Sequence, residues 1–141
     1  WLYLFRALAS DGRLDEIREY METVMMEGYE YQGYEDWKVD ANCYNVLFRA
    51  LSKQENVDGV AAKAEGILYE MIQLHREEME EMEDDEEMSS NSMLPNRETF
   101  LLVFQAFRGE KTRGIASKVE KILELQQALA RTSKDPESML P

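Results

Sequence analysis

The sequence predicts an all-α chain, an α-α superhelix (solenoid) of three helix-turn-helix repeats, on three observations. The first is an internal repeat. "WLYLFRALAS" from Trp1, "YNVLFRALSK" from Tyr44 and "FLLVFQAFRG" from Phe100 align with an aromatic residue in front and a Phe at Phe5, Phe48 and Phe104. The copies begin 43 and 56 residues apart, within or just beyond the roughly 34 to 47 residues usual for helical repeats. The second is period, since apolar residues recur every three or four positions, as on one face of an α-helix. The third is composition, with only three prolines and seven glycines in 141 residues to interrupt helices.

The first repeat is assigned to residues 1–40. Leu4, Phe5, Leu8 and Ala9 form one stripe, Asp11-Gly12 breaks it, and Leu14, Ile17, Met21, Val24 and Met25 form a second, with Gly28 as its expected stop. Residues 29–39, "YEYQGYEDWKV", are too aromatic for a plain linker and read as an inserted loop that packs back on the hairpin.

The second repeat, 41–95, opens with Asp40 as N-cap and the stripe Val46, Leu47, Ala50 and Leu51. A turn from Asn56 leads to a helix carrying Ala64, Ile67, Leu68, Met71 and Ile72, a stripe that continues through His75, Met79 and Met82. An acidic insertion, 76–94, follows. Glu77 with Glu81 and Glu80 with Asp84 are like charges four apart, each unfavourable by a few tenths of a kcal/mol, so fraying is expected there. The third repeat and tail, 96–141, begin at Pro95-Asn96, with Asn96 capping a helix that carries Phe100, Val103, Phe104 and Phe107. Gly109 stops it, and a last helix between Ile115 and Ala130 shows Val119, Ile122, Leu123, Leu125 and Leu129, with a loop from Arg131.

A hydrophobic content of 44% and 10% aromatics fit a folded chain. The net charge of −13 argues against nucleic acid as a rule, because phosphate binding is driven by Lys and Arg displacing counterions. The charge is uneven, however: "REEMEEMEDDEEM" from Arg76 to Met88 holds nine acids and one Arg, leaving −5 for everything else. That run reads as a solvated insertion or as a contact, over 76–88, for a basic protein partner. The single cysteine, Cys43, excludes an internal disulfide and a cysteine-based zinc site. It and the single histidine, His75, read as packing residues.

No apolar run approaches the length of a membrane span, so no membrane partner is expected. Neither a nucleophile-base pair, a phosphate loop nor a supported carboxylate pair is evident, and the expectation is a non-enzyme with no cofactor, metal or small-molecule substrate. The chain begins inside a helical pattern at Trp1, and "SMLP" at Ser138 to Pro141 repeats "SMLP" at Ser92 to Pro95. It reads as a segment of a longer array with a truncated start, any targeting peptide lying outside it.

Around "DANCYNVLFRALSKQENVDG" and "AEGILYEM" the sequence resembles the pentatricopeptide repeat. Asp40, "CYN" at Cys43 to Asn45, the Leu47, Ala50 and Leu51 core, "SDGRLDEI" from Ser10 to Ile17 and "MLPNRETFLLVFQAF" carry the resemblance. It implies a single-stranded RNA-binding module of organellar RNA metabolism or translation, in a mitochondrion or chloroplast, with one base per repeat. It further implies that Asn45 and Asn96 read one base, with Asn42 sandwiching it, whereas Leu2 (with Asp40) and Leu101 hold the reading positions of the other units. Leucine offers a base edge no hydrogen bond.

Arg49, Lys53 and Arg6 stand where phosphates would pass, or form a solvated rim, and Asp40 and Asn96 are equally explained as N-caps. The alternative reading is a protein-protein interaction scaffold of an organellar ribonucleoprotein assembly.

Overall fold

The computed structural model describes residues 1–54, 59–82, 92–108, 110 and 114–132. Every regular element among these residues is a helix, without a strand among them. Gly109, the turn from Asn56, most of the acidic run and the tail beyond Thr132 lie outside the described residues.

Helix α1 (Leu2–Ser10) buries Phe5 and Leu8 and ends at the expected Asp11-Gly12 break, where Gly12 has a left-handed φ of +72°. The chain reverses into α2 (Leu14–Glu19), passes without interruption through a π-helical stretch, Tyr20–Met25, and continues as α3 (Met26–Glu30). The buried side chains here are those of Ile17, Met21 and Met25, spaced four residues apart. In an α-helix of about 3.6 residues per turn that spacing drifts around the axis, and wider i→i+5 turns keep the three side chains on one side. Thr23 Oγ1 donates to the Glu19 carbonyl at 2.6 Å within this stretch, a bond that competes with regular helix pairing.

Gly28 is not the stop. The helix runs on to Glu30, and Gly28 lies buried in α3 because the indole of Trp37 sits on it. A Cβ there would come within 2.0 Å of Trp37 Cε3. Trp37 belongs to a short 3₁₀ turn, Glu35–Trp37, and meets Trp1 edge-on at 5.1 Å and Tyr34 at 4.9 Å. The aromatic segment 29–39 thus folds back onto the first helix pair.

Asp40 caps α4 (Ala41–Ser52), its Oδ1 accepting from the Cys43 N–H at 3.2 Å. Gly59, with φ +86°, leads into α5 (Val60–Glu81). The like-charge pairs do not fray this helix at Glu77. It persists to Glu81 because Glu78 is tied inward, accepting from Lys38 Nζ at 2.9 Å, the Met93 N–H at 3.1 Å and Ser92 Oγ at 3.3 Å.

Asn96 caps α6 (Arg97–Arg108) reciprocally: its Oδ1 accepts from the Thr99 N–H at 3.1 Å, and its own N–H donates to Thr99 Oγ1 at 3.0 Å. Such paired bonds satisfy donors that a helix start would leave open. Helix α7 (Ile115–Thr132) extends past the expected loop at Arg131 and buries Ile122, Gln126 and Ala130. Leu123, expected on the apolar stripe, is 40% exposed.

Helix α4 lies between α1 and α6, with α2 touching α1 and α4, α5 touching α4 and α6, and α7 touching α6. The core follows from this placement: Phe5, Phe48, Leu51, Ala64, Leu68, Met71, Phe100 and Val103 are fully or almost fully buried in one cluster. Phe104, the third of the matched Phe positions, packs only partly against it.

Candidate functional site

Helix α4 is covered on most sides, and what it leaves in solvent is narrow. From Ala41 to Lys53 the residues not buried are Asn42, Arg49, Ser52 and Lys53. Tyr44 marks the covered side, because its hydroxyl donates to Glu70 Oε1 of α5 at 2.9 Å. At 3.6 residues per turn, Asn42, Arg49 and Lys53 lie about 160°, 140° and 180° around the axis from Tyr44. They form one polar and basic strip on the side turned away from α5. Arg49 pairs with Glu98, which ties the strip to α6.

Asn45 lies between Asn42 and Arg49 in sequence but is 2% exposed. The structure does bring Asn45 and Asn96 together, with Asn45 Nδ2 donating to Asn96 Oδ1 at 3.3 Å. Thr99 Oγ1 donates to Asn45 Oδ1 at 2.7 Å and also lies 3.1 Å from Asn96 Oδ1. The two amides and the hydroxyl satisfy one another inside the α4–α6 contact. This differs from the outward-facing, base-reading pair that the resemblance implies: in this conformation the Asn45 amide offers no edge to a base. Burying an amide without partners costs roughly 1–3 kcal/mol, which is why the three groups close on each other.

Thr99 was not singled out by sequence reasoning, although its place three residues after a capping Asn is the spacing of a reciprocal cap. Asp40 is engaged as the α4 cap. Asn42 and Lys53 are exposed, as is Arg6, the residue aligned with Arg49 in the first repeat. Leu101, aligned with Asn45 in the third, is 46% exposed.

Charge is divided unevenly among the helices. Residues 1–10, 41–53 and 97–108, which hold α1, α4 and α6, carry Arg6, Arg49, Lys53, Arg97 and Arg108 against one carboxylate, Glu98. Leu14–Glu30 carries six carboxylates and one Arg, and Val60–Glu81 six carboxylates against two bases.

Arg18 Nη2 bonds Glu70 at 2.8 Å, joining α2 to α5, and Glu70 also receives Tyr44. Burial would raise the Glu78 carboxyl, but the bonds from Lys38 and from the Met93 N–H outweigh it and hold the group below its usual value. The buried His75 Nδ1, 3.6 Å from Glu78 Oε2, has no hydrogen-bond partner among the described residues. Burial pushes the Cys43 thiol up to about 11, so at neutral pH it is a packing residue and not a nucleophile.

Among the described residues no three His, Cys, Asp or Glu side chains converge as a metal site would need. No described helix is long and apolar enough to cross a membrane. Compared with protein-family models, curated proteins and solved structures, the chain matches none of them.

Proposed function

We propose that this chain is a superhelical repeat module that binds single-stranded RNA along the outward strip of α1, α4 and α6, as part of organellar RNA metabolism. The observation that carries this reading is the character of the strip. The central helix exposes Asn42, Arg49 and Lys53 and almost nothing else, and the three segments around α1, α4 and α6 have a net charge of +4 in a chain of −13. Cations so gathered meet phosphates even when the whole chain is acidic, because screening limits each charge to about 10 Å at ordinary salt.

In this reading Arg6, Arg49 and Lys53 contact the backbone, Asn42 offers an amide to a base, and Asn45 and Asn96 hold α4 and α6 in the register that aligns the strip. Affinity then depends on phosphate contacts more than on base identity.

The test is fluorescence anisotropy of labelled single-stranded RNA at several salt concentrations with the chain and with Arg49→Ala/Lys53→Ala, neither residue being part of the core. Each lost phosphate contact flattens the slope of log affinity against log salt by about 0.7, so the double variant is expected to bind weakly with a slope reduced by about 1.4. Equal affinity and slope for the two proteins would defeat the proposal.

A further inference from the structure

The π-helical stretch, α3, the 3₁₀ turn and the end of α5 line an open cavity of about 290 Å³. We propose that it receives an arginine side chain, flanked by an apolar residue, from a segment of another protein. This inference does not rest on the RNA reading, since the cavity shares no residue with the strip.

The floor is apolar and adaptable: Met21, Leu74 and Met93 line it, Met26 stands at the mouth, and Trp37 supplies an aromatic wall. Methionine is unbranched and fits irregular shapes, which suits a surface that accepts an incoming side chain. The volume lies at the lower edge of the roughly 300–1,000 Å³ of sites that take small molecules, enough for one long side chain and its neighbour.

The rim determines which side chain. Glu22, Glu30, Glu77, Glu78 and Glu81 stand around the opening against a single cation, Lys38, which is already bonded to Glu78. Glu22 is paired with Arg18 and Glu77 accepts from Gln73, whereas neither Glu30 nor Glu81 has an ion-pair partner among the described residues. Two carboxylates without an ion-pair partner among the described residues, over an apolar, aromatic-walled floor, favour a cation with a long apolar stem. Arginine fits better than lysine because its flat guanidinium is weakly hydrated, stacks on aromatic rings and meets carboxylates through two parallel bonds.

The experiment titrates the whole chain into a short fluorescein-labelled peptide of alternating arginine and leucine, followed by anisotropy, with the same peptide carrying neutral citrulline in place of arginine as control. The chain is expected to bind the arginine peptide saturably and the citrulline peptide at least roughly tenfold more weakly. Glu30→Gln/Glu81→Gln removes these two charges without touching the core and is expected to weaken binding by roughly twofold to thirtyfold, the range for two exposed ion pairs.

Met26→Lys, at a position already 44% exposed, places a competing cation at the mouth and is expected to abolish binding. RNA affinity measured on the same variants should not fall, which separates failure of this inference from failure of the RNA reading. Equal binding of the two peptides, or unchanged binding by both variants, overturns the proposal. So does concentration-dependent self-association of the chain that Met26→Lys abolishes, because the occupant would then be the basic strip of a second copy.

Discussion

Replacing Asn45 by Ala separates a structural amide from a base-reading one. The substitution removes two hydrogen bonds, to Thr99 at 2.7 Å and to Asn96 at 3.3 Å, from a residue that is 2% exposed. A buried hydrogen bond contributes about 1 kcal/mol net, and an unpartnered buried donor costs about 1–3 kcal/mol. Part of that cost is recovered, because the Thr99 hydroxyl still has Asn96 Oδ1 within 3.1 Å. Adding the small void left by the shorter side chain, the expected destabilisation is about 2 kcal/mol.

Urea unfolding followed by circular dichroism measures this directly as a lower midpoint at unchanged slope. A second variant sharpens the test. In Thr99→Val the hydroxyl is gone, so Asn45→Ala should cost clearly less in that background, with a coupling of about 1 kcal/mol. If Asn45→Ala leaves the midpoint where it was while altering RNA preference, then the amide is free in solution to face a base, and the reasoning from its burial is refuted.

Gly28→Ala gains about 1 kcal/mol of helix propensity on general grounds, yet its Cβ would lie 2.0 Å from Trp37, whose ring is held by Trp1 and Tyr34. The net effect is expected to be destabilising by about 1–3 kcal/mol, and to turn stabilising in a Trp37→Ala background; thermal melts of the four proteins decide it. For Glu78 the folded carboxyl is held below its ordinary value of 4.5, so its contribution is fully present above that pH and is lost as pH falls through the lower, folded value. The stability gap between the chain and Glu78→Gln, measured by urea titration, is therefore expected to narrow as pH falls below 4.5. A gap that widened as pH fell below 4.5 would show that Glu78 is not stabilised as a carboxylate.

What was legible in the sequence was local in origin. The breaks at Asp11-Gly12, the cap at Asp40 and the cap at Asn96 depend on groups within a few residues of one another, and chain chemistry alone announces them. The stripes of α4 and α6 were legible because a helix of fixed pitch converts spacing into a face, whereas Leu4, placed on the stripe of α1, is 42% exposed. Gly28 was misleading for the same reason: as a local signal it ends a helix, but here it makes room for an indole nine residues on.

The sequence by itself determined that the chain is helical, where most helices start, and that one pattern recurs in three places, because hydrophobic period and capping act over a turn or two. Only the tertiary structure decided what the repeated positions do. Asn45 and Thr99 are 54 residues apart and Glu78 holds Lys38 across 40. No periodicity encodes such a meeting. Whether an asparagine in a first turn faces solvent or a neighbouring cap is settled by how closely α6 approaches α4, and the acid-rimmed cavity exists because α3, the Trp37 turn and α5 converge there. Burial depends on every neighbour at once, and spacing along the chain cannot report it.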